Sequence, residues 1–166
     1  CAFADPIRSM VLLMMEEAGI DHAWMTERPL KEQRMPGLGV SARALMQVLG
    51  TEVGRQLSPD LWVRHLALRL GLAPQSTPVH DRIVISDCRF PEEAAWVRQQ
   101  GGRIIRLHRN QAGAVRSHES EVHILALDVD VDLHNHGVTP EGLHGLLDGA
   151  MATWGVEPRD EGPLVY

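Results

Sequence analysis

The order of short apolar strands and amphipathic helices predicts an α/β domain built on a mainly parallel sheet with flanking helices. Three observations carry that reading. Residues 83–86 (IVIS) and 103–108 (RIIRLH) are short strand-like runs on either side of a helical segment opened by Pro91. Residues 129–134 (VDVDLH) alternate as a strand does and lead into a helix opened by Thr139-Pro140-Glu141. Asp87 and Arg89 follow 83–86 directly, at the strand end where open α/β sheets collect their ligands.

Taken in order, CAFA (1–4) is an apolar segment read as a strand, followed by a helix over 7–18. Ile7, Met10, Val11, Met14 and Met15 recur there at helical spacing as core positions, and Gly19 stops the helix. Residues 26–40 hold two prolines and two glycines and read as a loop. Ser41 suits the N-cap of a helix to about residue 57, with Leu45, Val48 and Leu49 on its buried stripe. Ser58-Pro59-Asp60 repeats the start signal for a helix to about Leu70, closed by Gly71. A polar linker, 73–81, precedes the strand 83–86. The helix 91–100 places Glu92 and Glu93 in its first turn, where the helix dipole favours acids. Gly101-Gly102 ends it before the strand 103–108. Residues 109–122 lack a clean period and read as a loop. The last helix reaches about Trp154, and 157–166 form a polar, irregular tail. Residues 1–156 are thus expected to form one domain.

Composition narrows the function. A net charge of -6 excludes a protein that coats nucleic acid through a basic surface, while a few arginines in a cleft still bind a compact anion. No run approaches the ~20 apolar residues of a membrane span, and the first residues do not form a signal peptide. Two cysteines, Cys1 and Cys88, make no disulfide framework and fit a reducing cytoplasm. Fifteen of the sixteen basic residues are arginine, and Lys31 is the one lysine, which limits the phosphate-binding motifs available.

Three constellations carry chemistry. Asp87 can hold a magnesium ion or orient a hydroxyl, and Arg89 can grip a phosphate; the alternative is a local ion pair that caps the turn. Arg43, Gln47 and Arg55 stand about whole turns apart, so one helix face could project two guanidiniums and an amide. Gly50 and Gly54 are costly in that helix, and close backbone approach by a ligand would explain them; a kinked surface helix is the alternative. Arg109 and Arg116, with SHESE (117–121), suit a lid over transferring phosphates, or are simply solvated. DVDVD (128–132) lacks the glycine and distal glutamate of an EF-hand and reads as a solvated strand face bearing three aspartates. His118, His123, His134 and His136 lack zinc spacing, and no serine sits in a G-x-S-x-G elbow.

Together, and in this order, FADPIR (3–8), RPLKEQRMPGLG (28–39), SARALMQVLGTEVGR (41–55), PDLW (59–62), VISDCRFPEEA (84–94), GGRIIRLHR (101–109), SHESE and a strand ending in Asn135 with Gly137 resemble the phage-type deoxynucleoside monophosphate kinases. These are a branch of the P-loop kinases, and the resemblance runs to about Val156. It implies a P-loop nucleotide-kinase-like fold that transfers the γ-phosphate of ATP, with Mg2+, to a deoxynucleoside monophosphate. It further implies a small-molecule partner and a phage origin; the absent signals, the acidic charge and the lack of an apolar run add the expectations of a cytoplasmic enzyme (host cytoplasm if phage-encoded), no nucleic acid and no membrane. A homodimer stays open, since the Met-rich first helix suits a core or an interface.

By the same resemblance Asp87 would serve the metal and, with Arg89, the reacting phosphates. Arg43 and Arg55 would hold the acceptor phosphate, Gln47 would also bind substrate, and Asp5, Arg8 and Trp62 would shape the deoxynucleotide pocket. Arg109 and Arg116 would act on the donor phosphates from a lid over about 109–122, and acceptor-binding helices would span about 26–72. His118, Ser120 and Glu121 would lie at the lid's return, contacting nucleotide or fixing the loop, and Asn135 would lie beside ATP. Such kinases also begin with a strand and a G-x-x-x-x-G-K-[ST] loop ahead of FADPIR, which residues 1–166 do not contain. The expectation is that both lie upstream of Cys1. The alternatives are a loop-less, non-catalytic relative that binds nucleotide or protein, and a different small-molecule P-loop kinase. GTEVGR and PDLW favour a nucleotide acceptor.

Overall fold

A computed structural model describes residues 1–108, 124–135 and 138–156. The expected lid, 109–122, and tail, 157–166, lie outside the described residues. The chain groups into two compact units, Cys1–Trp96 and Val97–Tyr166.

In the first unit, helix α1 (Asp5–Glu17) buries Ile7, Val11 and Met15, spaced four apart on one face. With Met25, Met35 and Ala42, Val11 and Met15 form the core of this unit. Met10 and Met14, expected in that core, are 40% and 43% exposed. The buried stripe is one residue wide, so the position just before each core residue turns about 100° away from it. Two single helical turns, α2 (Ala23–Thr26) and α3 (Arg28–Lys31), replace part of the expected loop, with extended Glu27 between them. Beyond them, buried Met35 closes a tight turn by donating its N–H to the Val40 carbonyl at 2.9 Å.

Helix α4 (Ala42–Gln47) begins as expected, with the Ser41 hydroxyl accepting from the Ala44 N–H. Instead of continuing evenly, the chain passes through a π-helical segment, Val48–Val53, before α5 (Gly54–Leu57). The i→i+5 bonding of that segment shifts the phase of the helix. Val48 is therefore exposed, while Gly50 and Gly54 are buried. Helix α6 (Leu61–Arg69) starts later than Ser58-Pro59 suggested, because those residues form a turn in which the Ser58 hydroxyl donates to Asp60 at 2.6 Å. Trp62, Val63, Leu66 and Ala67 line its buried face, and Gly71, at φ +67°, ends it.

The segments 1–4 and 83–86 are not strands of a sheet. Cys1 donates to the Val84 carbonyl and accepts from the Ser86 N–H, both at 3.1 Å, which is one residue of pairing. A strand needs partners along its length, and among the described residues 83–86 has none beyond Cys1.

Helix α7 (Pro91–Gln99) leads from the first unit into the second. The second unit holds two parallel strands, β1 (Ile105–His108) and β2 (Val131–His134), in register Ile105 to Val131. The sheet is parallel as expected, but among the described residues it has two strands. Helix α8 (Pro140–Thr153), capped by Thr139, packs against β2. Asp130 is not on a solvated face: it accepts from the Ile104 N–H at 2.7 Å and from Arg98 and Arg103. Burial pushes its carboxyl up, and those three donors more than offset that and hold it below its ordinary value. Among the described residues no helix is long and apolar enough to cross a membrane.

Candidate active site

The first turn of α1 and one face of α6 border an open cleft of about 760 Å3 lined by Asp5, Arg8, Ser9, Trp62, His65 and Arg69, among others. Asp5 is its polar centre. One carboxylate oxygen accepts from Arg8 at 3.3 Å, and the other accepts from Arg69 at 3.1 Å and from the Ala2 N–H at 2.9 Å. Both guanidiniums are about half exposed, whereas the carboxylate is largely covered.

Trp62 forms the apolar wall. Its indole N–H donates to the Gly50 carbonyl at 2.7 Å, so its polar edge is satisfied inside the protein. A Cβ on Gly54 would lie 2.3 Å from the indole ring, and one on Gly50 would lie 2.9 Å from Ile7. The two glycines thus admit neighbouring side chains, not a ligand as their spacing suggested. That requirement holds Trp62 at the rim.

Lys31 and Arg43 add positive charge to this part of the unit. Burial first, and then the charges of Arg8 and Arg43, hold the Lys31 ammonium below its usual value, with Glu32 opposing them. Arg43 pairs with Glu32 at 3.1 Å, and Gln47 is exposed farther along the helix. The expected row of Arg43, Gln47 and Arg55 does not form. After the π-helical segment Arg55 bonds Glu92 and, at 2.5 Å, Glu93, with its guanidinium 3.4 Å above the Phe90 ring.

Asp87 is turned toward the start of α1. Its two oxygens accept from the Phe3 and Ala4 N–H groups at 2.7 and 2.9 Å, and Phe3 packs edge-on against Trp96. The carboxylate therefore fixes the backbone immediately ahead of Asp5. Arg89 is exposed, and its backbone N–H donates to Glu93 at 2.7 Å. Burial raises the Glu93 carboxyl above its ordinary value, against the pull of the Arg89 N–H, Arg55 and the Phe90 N–H. Burial, then the Glu93 and Asp87 charges, push the Cys88 thiol up to about 12, which removes it as a nucleophile at neutral pH.

Asp87 also bears on magnesium. Mg2+ takes most of its ligands from water and substrate phosphates, with one or two protein carboxylates. After its two amide bonds Asp87 keeps a lone pair on each oxygen, enough for one metal contact or one metal-bound water. Among the described residues no set of three His, Cys, Asp or Glu is placed to hold a metal by itself. The site fits a phosphate-bound Mg2+ in that limited way.

The structure thus brings Asp5, Arg8 and Trp62 together and separates Arg55 from Arg43. Asn135 follows β2 and donates its N–H to the His108 carbonyl at 2.8 Å. Arg109, Arg116, His118, Ser120, Glu121 and Gly137 lie outside the described residues. Lys31, His65 and Arg69 were missed in the sequence. Trp62, His65 and Arg69 are spaced i, i+3 and i+7, one helix face, and that period was the available signal.

A family model described as deoxynucleotide monophosphate kinase matches residues 3–142, a span that includes the whole cleft. The chain belongs to the deoxynucleotide monophosphate kinase family. A protein of Acanthamoeba polyphaga mimivirus named "Putative deoxynucleotide monophosphate kinase" is 25% identical over 151 residues, covering 84% of this chain and 76% of that protein. No solved structure matches the chain. Within the family match, Arg8 and Arg69 belong to segments that the fold brings to one carboxylate although 61 positions separate them.

Proposed function

We propose that the protein transfers the γ-phosphate of ATP to a deoxynucleoside monophosphate, giving the deoxynucleoside diphosphate and ADP. The observation that carries this reading is the cleft. It joins an apolar indole wall to half-exposed guanidiniums, in a chain whose family is named for that acceptor class. An acceptor phosphate oxygen forms the new bond to phosphorus, and the bond between that phosphorus and the bridging oxygen of ADP breaks. Such chemistry asks the protein mainly for positioning and charge neutralisation.

Arg8 binds the acceptor phosphate, Trp62 flanks the nucleoside, and Arg43 and Gln47 extend the site from α4. Asp87 holds the backbone ahead of Asp5 and offers its remaining lone pairs to Mg2+, which neutralises donor phosphates when bound. Arg89, Arg109, Arg116, Ser120, Glu121 and Asn135 serve the donor side in this reading.

The test uses the full gene product with ATP, Mg2+ and each of the four deoxynucleoside monophosphates, measuring ADP formation. Turnover with at least one acceptor, lost on removing Mg2+, is expected. No turnover with any of the four overturns the proposal.

A further inference from the structure

We infer that Arg69 and Arg8 form an anion clamp, and that the Asp5 carboxylate occupies this clamp in place of the acceptor's phosphate group. The identity of the anion as a nucleotide phosphate rests on the proposed function; the clamp itself asks only for a tetrahedral oxyanion.

The two arms come from different helices, α1 and α6, and take opposite oxygens of one carboxylate on the cleft wall. Each guanidinium carries five N–H donors, yet among the described residues each of these two gives a single side-chain hydrogen bond, to Asp5. One negative charge thus faces two positive ones, and both arms reach solvent. A phosphate monoester brings close to two charges and three acceptor oxygens, so it satisfies both forks better than the carboxylate does. When the arms leave, Asp5 retains the Ala2 N–H and so is not stranded. In the empty site the carboxylate limits repulsion between the guanidiniums. The burial- and charge-depressed Lys31 ammonium is consistent with a local excess of cations around Arg8.

An alternative role for Asp5, accepting a hydrogen bond from a nucleoside hydroxyl, predicts that Asp5→Asn leaves inorganic phosphate binding unchanged and weakens only the nucleotide. Calorimetric titration of the full-length protein with inorganic phosphate and with deoxynucleoside monophosphates separates the two. Arg69→Gln is expected to weaken binding of both probes by about 10–100-fold, the effect of losing a charge-assisted hydrogen bond. Asp5→Asn is expected to tighten inorganic phosphate several-fold by removing the internal competitor. Arg64→Ala, on the same helix and pointing to Asp60, leaves both affinities unchanged.

Wild-type affinity in Arg69→Gln overturns the clamp, as does unchanged or weaker phosphate binding in Asp5→Asn or no binding of either probe to the wild type. Turnover and nucleotide binding that persist unchanged in Arg69→Gln would sink the clamp and leave the kinase reading standing. Arg69-dependent binding of inorganic phosphate without any nucleotide binding would do the reverse.

Discussion

Two arginine–carboxylate clusters in the Cys1–Trp96 unit are built with opposite surplus. At Asp5, two half-exposed guanidiniums share one carboxylate on the wall of a cleft. At Arg55, one guanidinium, 14% exposed, is shared by Glu92 and Glu93 and covered by Phe90. The first cluster has cation to spare and solvent access, the conditions for receiving an anion. The second has an excess of negative charge and little access, so it repels a phosphate and ties α5 to α7. Charge balance and exposure therefore separate a binding arginine from a structural one, a distinction that helical spacing alone, which grouped Arg55 with Arg43, does not make.

The largest expected effect breaks the second cluster. Arg55→Ala leaves buried Glu93 without its counter-charge, and removing one partner of a buried pair costs about 3–5 kcal/mol. Urea unfolding measures it, and Arg55→Met with Glu93→Gln should recover most of the loss. A stable Arg55→Ala protein that merely fails to bind acceptor would erase the contrast between the two clusters.

Arg8→Ala should show the inverse profile. Its half-exposed ion pair contributes about 0–1 kcal/mol to stability, whereas loss of a charge-assisted contact to substrate lowers kcat/KM by about 10–100-fold. Thermal melts and steady-state kinetics on one preparation give both numbers. A large fall in Tm with intact kinetics would move Arg8 into the structural class.

Gly54→Ala sharpens the comparison through the wall of the cleft. The added methyl meets the Trp62 ring, and overpacking of that kind costs about 1–3 kcal/mol, partly offset by helix propensity. Acceptor KM should rise as the indole shifts, with kcat changing less. An unchanged KM would remove Trp62 from the site.

The smallest effect belongs to a matched cluster in the second unit, where Asp132 meets Arg106 and His108. The Arg106 and then the His108 bonds lower its carboxyl from 3.8 to about 2. A carboxyl depressed by folding adds stability above its unfolded value and loses it as pH falls toward the folded one. Asp132→Asn should lower stability slightly at neutral pH, where the contribution is fully present, and flatten the acid limb of the stability curve between 3.8 and about 2, leaving the two proteins alike below that range. A steeper acid limb in that variant would contradict the assignment.

Much of the local structure was legible. The caps at Ser41 and Thr139, the stop at Gly71 and the acids opening α7 are signals within four residues of what they control. The existence of β1 and β2 and their parallel sense also followed from their patterns; that they pair with each other did not. Longer-range facts were not legible. Nothing in GTEVGR says that Arg55 answers to glutamates 37 and 38 positions later. Gly50 and Gly54 did signal a close approach, but the approaching groups are Ile7 and Trp62. Of the candidate site, Asp5, Arg8 and Trp62 were readable as neighbours only through the resemblance. Arg69 looked like an ordinary cation in the last turn of a helix, because its partner is 64 residues earlier.

The π-helical segment Val48–Val53 acts as a gear between two halves of one rod. Deleting a single residue there would restore plain α-helical winding and rotate everything downstream by roughly 100° about the axis. Gly54 would leave the indole, and Arg55 would leave its two glutamates together. Insertions and deletions across relatives should therefore be rarer in these six positions than in the loop before Ser41, even though Val48, Glu52 and Val53 are exposed.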